Sequence, residues 1–185
     1  MSRAILTPLN ANVDMINSRV VEHLNLAPDT IREYNSTDSI VEHACQHLYP
    51  PEFLNSLRLS GLPPHKLCLA IGLPIMLLRN MDAANGHVNG ARYIITGLSP
   101  RIIEAVAVGN KLHRVFIPRM KLHSSDKKLP FTLQRIMFPV RLSFAMTINK
   151  SQGQSLDLVG MYLPEPVFAH ASDTVGSRLQ MGSKS

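Results

Sequence analysis

The residues best suited to chemistry lie in a short polar segment between two apolar runs. Residues 149–155 read Asn-Lys-Ser-Gln-Gly-Gln-Ser, after a β-prone run at 140–148 and before a second apolar run at 156–163. A loop between two buried strands presents its polar groups from a rigid base. Its amides, hydroxyls and lysine suit contacts with phosphate groups. An ordinary polar turn between strands has the same pattern, so both interpretations remain open.

Basic residues are concentrated in one part of the chain. The net charge of the 185 residues is +6, but residues 101–150 hold 10 lysines and arginines against 2 acidic residues. Such an excess attracts polyanions, most often nucleic acids. A solvated face that only aids solubility is the alternative. The ten basic residues are Arg101, Lys111, Arg114, Arg119, Lys121, Lys127, Lys128, Arg135, Arg141 and Lys150.

Composition predicts a soluble intracellular protein. A hydrophobic fraction of 45% is enough for the core of one ordinary domain or two small ones. The two cysteines, Cys45 and Cys68, form no CxxC pair, which favours a reducing compartment. The longest apolar run, at 67–78, is too short to cross a membrane, and the N-terminus lacks a signal-peptide pattern.

The first part of the chain reads as an α/β layer. A strand is predicted at 3–7, followed by a helix that Asn10 caps and that ends near Asn25. A second strand is predicted at 30–34, and the polar residues 36–39 predict the start of a helix that reaches about Leu48.

Two histidines lie on that second predicted helix. His43 and His47 are spaced to share a metal ion, but Cys45 would face another side of the helix and no third ligand is near. We therefore predict no metal site.

Beyond the prolines and glycine at 61–64 the pattern becomes all-β. Short apolar segments alternate with the turn signals Asn85-Gly86, Asn89-Gly90 and Gly109-Asn110. Closely spaced short strands predict a small barrel. The predicted strands are 66–69, 75–78, 92–96, 102–108, 114–117 and 132–137.

The sequence of residues 147–157 resembles the fifth conserved motif of the Pif-type (petite integration frequency) DNA helicases. It reads Thr-Ile-Asn-Lys-Ser-Gln-Gly-Gln-Ser-Leu-Asp. The Pif-type helicases include the helitron helicases and belong to helicase superfamily one. The flanks at 138–142 and 159–168 look like the same family, and 3–17 is similar to its fourth motif. Segments between 61 and 131 resemble its inserted domain, so the resemblance covers residues 3–170.

This resemblance implies a partial α/β RecA-like second helicase domain with an inserted all-β SH3-like barrel. The implied divisions are 1–60 for the first part of the RecA-like domain, 61–135 for the insert, and 136–170 for the return with the fifth motif. Residues 171–185 diverge from the family and read as a disordered tail.

The implied activity is ATP-driven, 5′-to-3′ DNA unwinding, with roles in repair, recombination and telomere maintenance, in the nucleus or alternatively the mitochondrion. ATP and Mg²⁺ would be the cofactors, and single-stranded DNA and a separate first RecA-like domain the partners, with no membrane contact. The resemblance places Thr147, Asn149 and Lys150 against the DNA backbone and Gln152, Gly153 and Gln154 beside the nucleotide. The basic residues Arg119, Lys127 and Lys128 are further DNA-binding candidates.

Three departures limit what the chain is expected to do by itself. No Gly-Lys-Ser/Thr sequence is present to form a P-loop, so we predict neither ATP hydrolysis nor tight nucleotide or metal binding by these residues alone. Ala70 stands where the family more often has a lysine. Arg178 falls near the place of the family's arginine finger but in unrelated surroundings, so no catalytic residue is assigned.

A non-catalytic nucleic-acid-binding module, or a transposon-derived relic, remains the alternative; a protein-interaction adaptor fits the scarce aromatic residues less well.

Overall fold

The structure is a computed structural model that describes residues 3–42, 48–108, 110–125, 129–154 and 156–164. Its strands form four separate sheets. Among the helices of these residues, none has the length and apolar character needed to cross a membrane. In chain order the elements are β1 (Arg3–Thr7), α1 (Asn10–His23), a 3-10 turn (Pro28–Thr30), β2 (Arg32–Asn35), β3 (Thr37–Ile40), α2 (Pro51–Ser56), β4 (Lys66–Leu69), β5 (Pro74–Leu77), β6 (Arg92–Leu98), β7 (Ile102–Ala107), β8 (Asn110–Pro118), β9 (Met120–His123), β10 (Leu133–Met137), β11 (Val140–Leu142), β12 (Ala145–Thr147), α3 (Ile148–Ser151) and β13 (Leu158–Met161).

A small parallel sheet joins the beginning and the end of the described chain. β1 is its central strand, with β12 on one side and β13 on the other. α1 packs its apolar face, including Val13 and Ile16, against Ala145 of β12. Because the three strands are parallel, their carboxyl ends and the loops that follow them meet at one edge of the sheet.

The predicted α/β unit at the start of the chain is confirmed, with one correction at the helix start. The predicted strand at 3–7 is β1. The N-cap of α1 is Leu9, in an extended conformation and without a side-chain capping bond, so Asn10 is the first helical residue rather than the cap. The helix ends at His23, close to the predicted end, and Asn25 has a positive φ of 45°.

The central part of the chain is all-β, as predicted. A five-stranded antiparallel sheet has the order β11-β5-β6-β7-β8, and the two-stranded sheet β2-β4 packs against it in one hydrophobic core. In the described part of the chain, β8 and β11 are the two edges of the larger sheet, so the pairing does not close a barrel. The core contains Tyr34, Leu69, Ile75, Tyr93 and Phe138.

A second, smaller core is organised around a buried ion pair. The sheet β3-β10-β9 and helix α2 enclose apolar side chains such as Leu54 and Leu133. Arg135 of β10 is fully buried and donates to both carboxylate oxygens of Asp38 on β3, at 2.9 and 2.6 Å. The remaining guanidinium donors reach the carbonyls of Leu54, Leu57 and Pro63.

The predicted helix start at 36–39 is wrong, because residues 37–40 form strand β3, and residues 43–47 of that predicted helix lie outside the described residues. Asp38 is paired with Arg135, and Ser36 donates its hydroxyl to the Asp38 carboxylate at 2.7 Å. Long-range pairing of β3 with β10 therefore overrides a local capping signal. His43, Cys45 and His47 lie outside the described residues. The neighbouring strand predicted at 30–34 is found slightly later, as β2, after a 3-10 turn.

The apolar run at 140–148 is two strands in two different sheets. β11 completes the five-stranded sheet, whereas β12 belongs to the parallel sheet, and the chain changes sheet at Ser143 and Phe144. Ser143 donates its backbone N–H to the Pro74 carbonyl at 2.9 Å. Arg92 donates to the carbonyls of both Ser143 and Arg3, which links the all-β part to the parallel sheet.

The second apolar run, at 156–163, returns to a core only at Leu156, which packs against the cluster of Ala4, Met76 and Met146, whereas its strand β13 does not. β13 pairs with β1 at the edge of the sheet, but all four of its residues are exposed, with Leu158 at 58% and Met161 at 64%. The hydrophobic side chains of β13 are therefore not covered by any other described element.

Candidate nucleic-acid interface

The predicted motif forms a compact loop at the carboxyl edge of the parallel sheet. This motif loop, residues 147–154, begins at the end of β12, turns once through the short helix α3 and then turns again at Gln152 and Gly153. Gly153 has a φ of +78°, in the left-handed region that favours glycine. The loop closes through a backbone bond from Gln154 to the Ser151 carbonyl at 3.0 Å.

A buried asparagine on α1 positions the strand that leads into the loop. Asn17 accepts a bond from the Ala145 backbone N–H at 2.9 Å and donates to the Leu142 carbonyl at 3.1 Å. These bonds satisfy backbone groups at the place where the chain changes sheet. The register of β12 beside β1, with Thr147 opposite Thr7, then places the loop at the edge of the sheet.

The loop is also joined to the all-β part of the molecule. The side chain of Gln154 donates to the carbonyl of Gly90 and to that of Lys150, both at 3.0 Å. Gly90 lies in the β5–β6 loop, residues 78–91, and has a φ of +92°. The motif loop and the β5–β6 loop are therefore held side by side.

Lys150 has unusual electrostatic surroundings for a lysine. It is half-buried, and burial lowers its pKa below the ordinary value, with repulsion from Arg141 and then Arg79 adding to the effect. Among the described residues no carboxylate pairs with Lys150. Arg141, in contrast, is paired with Asp14 at 2.7 Å. The arrangement favours an anion beside Lys150.

The structure brings most of the predicted site residues together in this loop. Asn149, Gln152 and Gly153 are exposed, so they are available to a ligand. Thr147 is only 9% exposed, at the end of β12. Of the other DNA-binding candidates, Lys127 and Lys128 lie outside the described residues.

Arg119 lies elsewhere and contacts the protein itself. Its guanidinium is over the ring of Phe138, 5.3 Å from the centroid, and 5.9 Å from that of Tyr34. It also donates to the Asn35 carbonyl at 3.0 Å. These contacts stabilise the all-β core, and none of them involves the motif loop.

The basic stretch at 101–150 is not a single uniform surface. Arg135, counted in the predicted field, is fully buried and neutralised by Asp38. Arg141 is neutralised in part by Asp14. Arg101, Arg114 and Lys121 are exposed, as expected for residues that contribute to a long-range field. The charge count therefore overstates the cationic surface in this stretch.

Two structural features of this candidate site were missed by reasoning from the sequence. Asn17 reads as an ordinary polar residue of an amphipathic helix, and no local signal indicates its bonds to the chain before β12. Arg79 is near Lys150 only because the two loops are adjacent in space. The Asn89-Gly90 turn signal did mark the loop that approaches the motif, although not its partner.

Comparisons with known proteins agree with this geometry. Residues 52–98 match the family described as DNA helicase Pif1, 2B domain. The human ATP-dependent DNA helicase PIF1 is 27% identical over 158 residues, which cover 82% of this chain and 22% of the relative. The protein of the same name from Danio rerio is 29% identical over 160 residues, with the same coverage of 82% and 22%. The chain thus spans about a fifth of the length of these relatives.

Solved structures show the same fold. The Pif1 helicase from Candida albicans matches with a TM-score of 0.61 at 23% identity, over 87% of this chain and 39% of that one. Bacteroides Pif1 bound to ssDNA matches with a TM-score of 0.58 at 21% identity, over 86% and 34%. The fold therefore resembles part of these Pif1 helicases. By these comparisons the chain is similar to a fragment of a Pif1-type helicase.

Proposed function

We propose that the chain is the part of an ATP-dependent, 5′-to-3′ DNA helicase that holds single-stranded DNA and forms one side of the ATP site. The observation that supports this most strongly is Lys150, a half-buried cation without a carboxylate partner among the described residues, on a loop at the carboxyl edge of a parallel sheet. Ligands of open α/β sheets bind at this edge.

On the DNA side, Asn149 and Lys150 contact the backbone. The exposed amide of Asn149 donates a hydrogen bond to a phosphate oxygen, and Lys150 supplies the charge. Thr147 is nearly buried, so its contribution is limited to the small exposed part of the residue. Such contacts hold DNA without reading its sequence.

On the nucleotide side, Gln152 and Gly153 face solvent at the turn, whereas the Gln154 side chain is already bonded within the protein. Gln152 and the Gly153 backbone would therefore approach ATP directly, and Gln154 would hold the turn in place. The P-loop and the Mg²⁺ ligands come from a separate first RecA-like domain, because the sequence contains no Gly-Lys-Ser/Thr.

The three divisions of the chain, 1–60, 61–135 and 136–170, correspond in this proposal to a RecA-like domain interrupted by an SH3-like insert, with 171–185 as a tail. Strands β4 to β8 lie within the 61–135 insert, whereas β2 and β11, which complete their two sheets, come from the flanking divisions. Lys127 and Lys128 are further DNA contacts in this proposal, and Arg119, which packs on Phe138 and Tyr34, would contribute through its charge. The protein works in the nucleus, with the mitochondrion as the alternative compartment.

A non-catalytic nucleic-acid-binding module is the second candidate. Binding of a phosphate backbone by the motif loop needs no nucleotide, and the exposed Asn149 and half-buried Lys150 are sufficient for it. The two candidates differ in one measurement. A separately produced first RecA-like domain restores DNA-dependent ATP hydrolysis when mixed with a helicase part, but not when mixed with a simple binder.

Fluorescence anisotropy of a labelled single-stranded oligonucleotide across a salt series tests the DNA-binding proposal. We expect affinity that falls steeply with salt, and weaker binding by Lys150→Ala and by a Lys127→Ala/Lys128→Ala variant. Arg19→Ala is the matched control, because Arg19 is an exposed cation on α1. A folded chain that does not bind at low salt would refute the proposal.

A further inference from the structure

A second half-buried cation, Arg79, lies beside Lys150 on a different segment of the chain. Arg79 begins the exposed part of the β5–β6 loop, directly after the buried Leu78. Gly90, whose carbonyl accepts from Gln154, donates its backbone N–H to the Leu77 carbonyl at 2.9 Å, so the start of this loop lies near the backbone of Lys150. Repulsion from Arg79 also contributes to the lowered pKa of Lys150. Within the described ranges, no carboxylate pairs with Arg79 either.

The protein holds the two cations in this arrangement rather than letting them separate. Leu78 donates its backbone N–H to the Pro139 carbonyl at 2.8 Å, which fixes the base of the β5–β6 loop. Gln154 bonds to Gly90 at the other end of the same loop and to the Lys150 carbonyl. The backbones of Arg79 and Lys150 are therefore both anchored.

The guanidinium of Arg79 is also oriented. One terminal nitrogen donates to the Leu78 carbonyl at 3.2 Å and the other to the His123 carbonyl at 3.3 Å. A guanidinium has five N–H donors, so several stay available for a further acceptor. An arginine held in this way is suited to a planar, two-point contact with a phosphate.

Half-buried cations that repel one another and lack a carboxylate are rare unless an anion completes them. We propose that Arg79 and Lys150 bind one and the same phosphate group, which the backbone of single-stranded DNA supplies. This inference rests on the proposed function and adds to it an arginine from the all-β part. It makes the phosphate a bridge between the β5–β6 loop and the motif loop.

The first test replaces Arg79 by glutamine in the full chain. We expect affinity for a single-stranded oligonucleotide to fall roughly 10-fold at low salt, as for the loss of one charge-assisted hydrogen bond. The slope of log affinity against log salt should become less steep by about one, the loss of one phosphate contact. Arg19→Gln, with the same change of charge on the exposed face of α1, is the control. Unchanged affinity and slope in Arg79→Gln would overturn the inference.

A double-mutant cycle tests whether the two residues share one phosphate. If they do, the Arg79→Gln/Lys150→Gln variant should lose much less affinity than the product of the two single losses, because either change already removes the shared contact. Two separate phosphates predict independent effects that multiply, and that result would overturn the shared site.

A third measurement distinguishes failure of this inference from failure of the proposed function. It also distinguishes a phosphate of the DNA backbone from a phosphate of a nucleotide. The lysines are methylated with a ¹³C label, the Lys150 signal is assigned from Lys150→Arg, and pyrophosphate is added. A shift of that signal in the wild type, absent in Arg79→Gln, supports the phosphate site even where the chain fails to bind DNA. No shift together with no DNA binding would refute both. Binding of a fluorescent ATP analogue should be equal in wild type and Arg79→Gln; a selective loss there would assign the phosphate to a nucleotide and overturn the DNA assignment.

Discussion

Arg135 and Lys150 belong to the same basic stretch of sequence but lie in opposite electrostatic surroundings. Arg135 is fully buried, and its donors are used by the Asp38 carboxylate and three backbone carbonyls. Lys150 is half-buried, and its described charged neighbours, Arg141 and Arg79, are cations.

The comparison shows that a cation's partners, more than its position in a charged stretch, distinguish a structural from a ligand-binding role. All the partners of Arg135 belong to the protein itself, so an added anion would form no further contact with it. Lys150, with Arg79 and Arg141 near it, has no anionic partner in the described part of the protein. Stability and binding should therefore respond in opposite ways to substitutions at the two places.

The largest expected effect is at the completed cluster. Arg135→Leu leaves the buried Asp38 carboxylate with only the His65 ring, 4.0 Å away, in place of the guanidinium, and removes donors from three carbonyls. Breaking a buried ion pair by removing one partner costs about 3–5 kcal/mol. We expect a loss of this size in the free energy of unfolding, measured by urea denaturation. A double variant, Arg135→Leu/Asp38→Leu, should recover part of it, because no unpaired charge remains. A loss below about 1 kcal/mol in the single variant would show that the cluster is not a main source of stability.

The connection between the motif loop and the β5–β6 loop should have an intermediate effect. Gln154→Ala removes two hydrogen bonds, to Gly90 and Lys150. At about 0.5–1.5 kcal/mol for each bond, we expect a loss of about 1–3 kcal/mol in the free energy of unfolding.

Gln152→Ala is the matched control for this loop, since Gln152 is exposed in the same turn. Its effect on the urea midpoint should be within about 0.5 kcal/mol. Equal effects of the two variants would contradict a specific role of Gln154 in joining the loops.

Local patterns predicted the regular elements better than the contacts between them. The strand at 3–7 and the strand at 66–69 are found with the predicted bounds, because short apolar segments between turn signals are read directly from the sequence. The strand at 37–40 was missed, because Ser36 and Asp38 look like helix caps until Arg135 is known to be opposite. The sequence contains both partners but not the information that they meet.

The candidate site was predicted as a loop and not as a pocket of charge. The motif at 147–154 was located from residue types and family resemblance, and the structure shows it as one compact loop. That Lys150 is half-buried beside Arg79 depends on the packing of the β5–β6 loop, which no local pattern describes. Arg119 was predicted for DNA, yet its nearest partners are two aromatic rings, because cation–π packing has no short-range signature.

At Lys150, a substitution that weakens DNA binding should leave the free energy of unfolding unchanged or raise it. Lys150→Met keeps the apolar part of the side chain and removes a charge that two arginines repel. Solvent screens a half-exposed group, so we expect a gain on the order of 0.5 kcal/mol in the free energy of unfolding. Lys121→Met, at an exposed position of β9, is the control and should change stability by less. A clear loss of stability in Lys150→Met would mean that the lysine has a structural partner.

The pH dependence of this difference is the smallest expected effect and the most specific to Lys150. The pKa of Lys150 in the folded protein is below the ordinary value of 10.5, first because of burial and then because of Arg141 and Arg79. Between the folded and the unfolded pKa, the unfolded chain binds more protons, so the free energy of unfolding rises with pH across that interval. Relative to Lys150→Met, the wild type should therefore become more stable as the pH rises towards 10.5, with no such trend at lower pH.

A bound phosphate neutralises the repulsion and raises the pKa of Lys150 again. Urea titrations of both proteins from pH 7 to 10.5 should show the trend without DNA and lose it with a saturating single-stranded oligonucleotide. A trend that persists with DNA would place the phosphate away from Lys150.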